Sequence, residues 1–120
     1  MTAAISRIIV FTSDMVKVTA FYRDVLALKA IVDPEYPADE WIEFDAGGVR
    51  IALHKAGSGG SGTKATCRHK IVFYARYVAK ERARLIKKKV KAGPVKTWGK
   101  LSVCDFSDPE GNRLQLSNRK

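Results

Sequence analysis

The chain is written twice, 63 positions apart, and this repeat confines it to folds built from two related halves. Gly48-Val49-Arg50-Ile51-Ala52-Leu53 recurs as Gly111-Asn112-Arg113-Leu114-Gln115-Leu116, and Arg7-Ile8-Ile9-Val10-Phe11 recurs as Lys70-Ile71-Val72-Phe73-Tyr74. One offset shared by two separate segments marks a duplicated supersecondary unit. Two such units facing each other make a cleft at their junction, and side chains at that junction are the first candidates for function.

Local signals divide each half in the same way. Ile5 to Thr12 is rich in β-branched and apolar residues and reads as a strand. Thr12-Ser13-Asp14 offers N-cap side chains, and Met15, Val18, Phe21, Tyr22, Val25 and Leu26 then recur at helical spacing. Leu28 to Asp33 forms a second strand, and Pro34 and Pro37 bracket a loop. Trp41 to Asp45 and Val49 to His54 are two strands joined by Ala46-Gly47-Gly48. The second half repeats this order: a strand at Cys67 to Ala75, a helix at Val78 to Ala92 stopped by Gly93-Pro94, then strands at Val95 to Trp98, Leu101 to Phe106 and Arg113 to Ser117. Asp108-Pro109-Glu110-Gly111 matches the preferences of a type I turn. Each half is therefore βαβββ. The expected organisation is one domain, 1–120, with modules at 1–54 and 67–120 and a Gly/Ser linker at 55–66.

Length and composition narrow the class further. A chain of 120 residues can bury a core without disulfides. Its two cysteines, Cys67 and Cys104, form neither a disulfide framework nor a zinc motif, and reduced thiols are expected. No apolar run reaches membrane-spanning length and no secretory leader is recognisable, so a cytoplasmic location is expected. Residues 1 to 63 hold 6 Lys or Arg against 8 Asp or Glu, whereas residues 64 to 120 hold 16 against 4. The basic character of the protein thus belongs to its second half. Much of it falls between Lys80 and Lys91 on the predicted helix, either as a solvated outer face or as a patch for nucleic acid or another anionic surface.

The run Ser13-Asp14-Met15 with Ala20-Phe21-Tyr22-Arg23-Asp24-Val25-Leu26, and the closing Asp108-Pro109-Glu110-Gly111-Asn112-Arg113-Leu114-Gln115-Leu116, resemble the helix and last hairpin of the vicinal oxygen chelate superfamily. That superfamily includes glyoxalases, extradiol dioxygenases and bleomycin resistance proteins. The resemblance implies an α+β fold in which two βαβββ modules form a cupped mixed sheet with a central cleft, and it implies pairing into a homodimer. Its enzymes hold a divalent metal through one side chain from the first and last strand of each module. The matching positions here are Arg7, Ala52, Lys70 and Gln115. Ala has no donor atom, Arg stays protonated, Lys would first have to lose its proton, and only Gln115 offers an oxygen. A catalytic metal needs about three protein ligands. No metal or other cofactor is expected.

Strand alternation then divides the side chains by face. Arg7, Ile9 and Phe11, Arg50, Ala52 and His54, Lys70, Val72 and Tyr74, and Arg113, Gln115 and Ser117 share the cleft parity. Ile8, Val10, Ile51, Leu53, Ile71, Phe73, Leu114 and Leu116 share the other, which is uniformly apolar and belongs under the helices. This parity sets Cys67 away from the cleft, puts His69 on the helix side or its edge, and makes Cys104 a core residue. The expected ligand-binding set is Arg7, Phe11, Arg50, His54, Lys70, Tyr74, Arg113 and Gln115. Such a cleft suits a small anionic or aromatic molecule, because Arg grips carboxylate or phosphate and the rings stack. Buried cations need a counter-ion, supplied either by the ligand or by an acidic neighbour such as Glu43.

Ligand binding without chemistry is the leading reading, so the chain is taken as more binder than enzyme. The alternative is a metal-independent or atypical lyase, isomerase or dioxygenase-type enzyme of the same superfamily, with His54, Tyr74 and Lys70 as acid/base candidates. No nucleophile and base stand at a diagnostic spacing. A second alternative is nucleic-acid binding through the basic helix.

Overall fold

The computed structural model describes residues 5–56 and 69–120. The chain divides into two compact units, Met1–Thr63 and Lys64–Lys120, and the charge asymmetry falls on this division.

In the first unit β1 (Arg7–Thr12) leads into α1 (Met15–Ala20), which continues as a wider π-helical turn over Phe21–Val25. Asp14 caps α1, its Oδ1 accepting from the Lys17 backbone N–H at 3.0 Å. Met15, Val18, Phe21 and Tyr22 form the buried stripe. Ala27 ends the helix with φ +57°. Then follow β2 (Lys29–Ile31), β3 (Trp41–Asp45) and β4 (Arg50–Lys55). The sheet order is β1-β4-β3-β2, with β1 and β4 parallel and the other pairs antiparallel. At the β3–β4 hairpin Ala46 N–H bonds to Val49 O at 3.0 Å, with Gly47 and Gly48 at φ +78° and +101°.

The second unit repeats the plan with β5 (Ile71–Tyr74), α2 (Val78–Lys87), β6 (Lys96–Trp98), β7 (Leu101–Ser107) and β8 (Arg113–Ser117). Its order is β5-β8-β7-β6. Ile8 pairs with Ile51 across β1–β4, and Ile71 pairs with Leu114 across β5–β8, so the 63-residue offset holds in strand register as well as in sequence. The two-module α+β reading is what the chain adopts. At the expected turn Gly111 N–H donates to Asp108 O at 2.9 Å, while the buried Asp108 carboxylate accepts from Glu110 N, Asn112 N and Asn112 Nδ2.

Two expectations change. The second helix was expected to run to Ala92, but it ends at Lys87. Lys89 takes φ +65°, Lys89 N–H reaches Ile86 O and Val90 N–H reaches Leu85 O, a C-terminal lock that satisfies the last carbonyls and turns the chain well before Gly93. The expected strand from Cys67 begins at Ile71 among the described residues, and His69 lies exposed ahead of it rather than under a helix. Cys67 and most of the Gly/Ser linker lie outside the described residues. Cys104 is fully buried, as expected, with its Sγ 3.4 Å from Gly93 O; burial, outweighing the nearby Arg82, pushes its thiol pKa up.

Candidate functional site

The face alternation expected from the sequence appears within each unit. Val10, Ile51, Leu53, Leu114 and Leu116 are buried, whereas Ile9, Phe11, Val72 and Tyr74 are about half exposed on the opposite parity. Ala52 and Ser117 depart from it, being buried although their parity is that of the open face. Because this parity is set by the pleat, each unit offers one sheet face carrying both cations and rings.

In the first unit this face is organised by Glu43. Register sets it opposite Ala52, whose methyl leaves room for the longer side chains around it. The Glu43 carboxylate accepts from Arg50 Nη1 at 3.1 Å and from Trp41 Nε1 at 3.1 Å, and Arg7 Nε lies 3.8 Å away. Its side chain is 11% exposed. Burial alone would raise its pKa, but the hydrogen bonds from Arg50 and Trp41 and the charges of Arg7 and Arg50 outweigh burial and hold it below the ordinary carboxylate value. Arg7 and Arg50, both exposed, therefore share Glu43 as their acidic neighbour.

Beside this network Trp41 pairs in register with His54, and Phe11 pairs with His54 from the other side. The His54 ring stands edge-on to Trp41 and tilted against Phe11, both at 5.4 Å between centroids. Its Nδ1 lies 2.8 Å from Lys55 O; a carbonyl only accepts, so the hydrogen belongs on Nδ1 and, in the neutral ring, Nε2 keeps its lone pair. These groups open into a pocket of about 620 Å³ lined by Arg7, Asp33, Tyr36, Glu40, Trp41, Glu43 and His54. Three of them, Asp33, Tyr36 and Glu40, come from the residues between β2 and β3, where Asp33 Oδ1 accepts from Glu35 N and Pro37 O accepts from Glu40 N and Trp41 N.

In the second unit Asp105 takes the register position opposite Gln115. Its Oδ1 accepts from Lys70 Nζ at 2.9 Å and Gln115 Nε2 at 2.8 Å. The Lys70 hydrogen bond is the largest influence; with Gln115 and the Lys70 and Lys96 charges it outweighs partial burial and lowers the Asp105 pKa. Tyr74 is half exposed, with Lys120 Nζ 5.2 Å from its ring centre, and Arg113 is exposed.

The expected site residues thus fall into two groups. Arg7 and His54 line one pocket, Arg50 holds its acid Glu43 and Phe11 packs on His54, whereas Lys70 and Gln115 gather on Asp105. The catalytic candidate Lys70 has a carboxylate partner, and Tyr74 lies under a lysine. Asp105, Trp41, Tyr36, Asp33 and Glu40 were missed. The signal for Trp41 and Asp105 was present in the hairpins: counting back from each turn sets Trp41 opposite His54 and Asp105 opposite Gln115.

The sequence profile of the Glyoxalase/Bleomycin resistance protein/Dioxygenase superfamily matches residues 4–116. The chain belongs to that superfamily. Among solved structures the fold is similar to a putative glyoxalase family protein from Bacillus anthracis, with TM-score 0.79 and 20% identity, covering 100% of this chain and 98% of that one. It is also similar to lactoylglutathione lyase from Agrobacterium tumefaciens, with TM-score 0.74 and 20% identity over 98% and 94% of the two chains. A third is TnmS3, an antibiotic binding protein from Streptomyces sp. CB03234, with TM-score 0.76 and 18% identity over 96% and 94%. No curated protein matches the chain. A lyase and an antibiotic binder on one fold mean that superfamily membership leaves the activity to be argued from the site.

The metal that the superfamily's enzymes carry does not fit the residues here. Arg7 and Lys70 are engaged as cations by Glu43 and Asp105, Ala52 is a buried methyl, and Gln115 turns its amide NH₂ to Asp105. Among the described residues no three His, Cys, Asp or Glu side chains gather as a ligand group. No helix among them is long and apolar enough to cross a membrane.

Proposed function

We propose that this superfamily member binds a small aromatic molecule in the pocket of its first unit, without a metal and without chemistry. The observation that carries the reading is the pocket itself: about 620 Å³, lined by the rings of Trp41, Tyr36 and His54 together with Arg7 and the carboxylates Asp33, Glu40 and Glu43. That volume is in the range of small-molecule sites, and rings with a few placed polar groups are the usual lining. The aromatic walls supply stacking area at low rotamer cost. Arg7 is 43% exposed and only loosely held by Glu43, so it retains N–H groups for a carboxylate or other acceptor on the ligand. Asp33 and Glu40 favour hydrogen-bond donors at the ligand's outer edge. The ligand is therefore a ring with an acceptor on one side and donors on the other. Of the two ligand types read from sequence, this lining favours the aromatic one, since Glu43 already balances the arginines.

Trp41 is its own reporter. The protein has two tryptophans, and replacing Trp98 by Phe leaves Trp41 as the sole indole. Titrating this variant, stripped of metal with chelator, should give saturable quenching with neutral aromatics and aromatic carboxylates and none with aliphatic carboxylates. Binding that needs an added divalent ion would overturn the metal-free reading, and quenching by aliphatic acids alone would overturn the aromatic one. The same reading takes the protein to be a homodimer. The half-exposed Ile9, Phe11, Val72 and Tyr74 support pairing, and sedimentation equilibrium measures it directly.

A further inference from the structure

The outer side of α2 has no part in the pocket, and its charge is not balanced locally. Val78 and Leu85 are buried on the inner side of the helix. Lys80, Arg84 and Lys87 follow one another at helical spacings on the opposite side, over about 10 Å of rise. Lys88, Lys89 and Lys91 continue directly from them, all exposed. Glu81 is the one carboxylate between residues 76 and 91, and it is engaged by Arg84 Nε at 2.8 Å. Among the described residues no carboxylate partners Lys80, Lys87, Lys88, Lys89 or Lys91. Like charges three and four residues apart on a helix repel.

The lysine-rich turn is held in place. Arg82 reaches across from α2, donating through Nε to Gly93 O and through Nη2 to Ala92 O. Gly93 N–H in turn bonds to Asp105 O at 2.8 Å on β7. The helix end itself is locked by Lys89 and Val90. Six cations thus lie along the helix and the turn that ends it, and that turn is held by hydrogen bonds.

We propose that this surface binds the phosphate backbone of nucleic acid, without reading sequence. A row of cations about one helical turn apart spans several successive phosphates of a strand, and release of condensed counterions supplies the affinity. Lysine dominates, a point charge suited to phosphate, and no Asn or Gln stands among the cations to pair with adenine. A membrane surface fits less well, because insertion needs an exposed apolar face and Ile86 is the one large apolar side chain exposed on this helix.

Fluorescence anisotropy of a labelled 20-base-pair duplex against the full-length chain tests this. Affinity should fall roughly 100-fold between 50 and 200 mM KCl for about four phosphate contacts. Lys80→Glu with Lys87→Glu should weaken binding at least tenfold, whereas Lys17→Glu with Lys29→Glu, the same charge change on the first unit, should leave it within twofold. The milder pair Lys88→Gln with Lys91→Gln should make the salt slope shallower by about 2. Far-ultraviolet circular dichroism and thermal unfolding report that each variant remains folded. The proposal is overturned by absence of binding at 50 mM KCl, by equal weakening in both charge-reversal pairs, or by capture on phosphatidylserine vesicles without binding to the duplex.

Discussion

Residues 32–40 and Gly99-Lys100 occupy the same place in the repeat, and the contrast between them explains how the first unit walls its pocket. Both connect the second strand of a module to the third. In the second unit Trp98 pairs with Leu101, and Gly99 at φ +58° lets two residues close the hairpin. In the first unit nine residues bridge Ile31 and Trp41, folded by the Asp33 side chain and the Pro37 carbonyl. They bring Asp33, Tyr36 and Glu40 over the sheet edge beside Trp41 and His54. Duplication thus copied the sheet and its register, while the loop lengths diverged.

The largest expected effect comes from erasing that difference. Replacing residues 34–40 by Gly-Lys, so that a tight turn joins Asp33 to Trp41, removes Tyr36 and Glu40 from the lining. Aromatic quenching of Trp41 should weaken at least tenfold in the Trp98→Phe background, with the far-ultraviolet circular dichroism of the sheet retained. Undiminished binding in a folded variant would place the ligand elsewhere.

The two acids are the second point of comparison. Glu43 and Asp105 hold equivalent register positions, but the residue opposite differs: Ala52 is a buried methyl and Gln115 a hydrogen-bond donor. Glu43 is consequently deeper, accepting from Arg50 and Trp41 with Arg7 3.8 Å away, while the Asp105 side chain is 45% exposed. Glu43→Ala leaves partly buried donors without their acceptor and should cost about 2 kcal/mol in urea unfolding. Asp105→Ala disrupts a pair near solvent and should cost about 1 kcal/mol or less. Equal costs would mean that depth does not distinguish the two sites.

Proton linkage sharpens the same contrast. Both carboxylates have pKa values below their ordinary ones, so their stabilisation is complete above the unfolded carboxylate range near pH 4 and is lost as pH falls through the lower folded values. The stability gap between wild type and Glu43→Gln, present at pH 7, should narrow steadily below about pH 4. A gap unchanged down to pH 2.5 would show that the Glu43 charge is not what stabilises the fold.

The fold was legible because it depends on patterns the sequence states openly: the 63-residue offset, the period-two alternation of Ile8 to Phe11 and Arg50 to His54, and the glycines of the hairpins. The cations Arg7, Arg50, Lys70 and Arg113 were legible as residue types and Glu43 as an acidic neighbour for them, but Asp105 was not. Arg50 meets Glu43 diagonally across a hairpin in which register pairs Arg50 with Asp45 and Glu43 with Ala52, whereas Lys70 meets Asp105 over 35 positions of sequence. The pocket depends on Tyr36 and Glu40, which lie in an irregular segment with no periodicity to place them. The end of α2 was misplaced because Gly93-Pro94 is the stronger local signal, and a lysine is a poor candidate for a left-handed residue.

That last residue gives the smallest effect and the closest test of how far the halves correspond. Ala27 and Lys89 end the helices of the two units at φ +57° and +65°, one position short of the 63-residue offset. A side chain in this region crowds the following carbonyl, which glycine avoids. Ala27→Gly and Lys89→Gly should therefore each stabilise the protein, by about 0.5–1 kcal/mol after allowing for the greater freedom of glycine in the unfolded chain. In the second unit the gain should exceed that in the first, because Val90 and Leu85 complete the C-terminal lock around Lys89, whereas the π-helical turn before Ala27 already relaxes that end. Thermal unfolding of the two single variants and the double measures this. Additive gains would show helix ends that act independently in the two units, and a loss of stability at Lys89 would mean that its side chain, rather than its backbone, holds the turn.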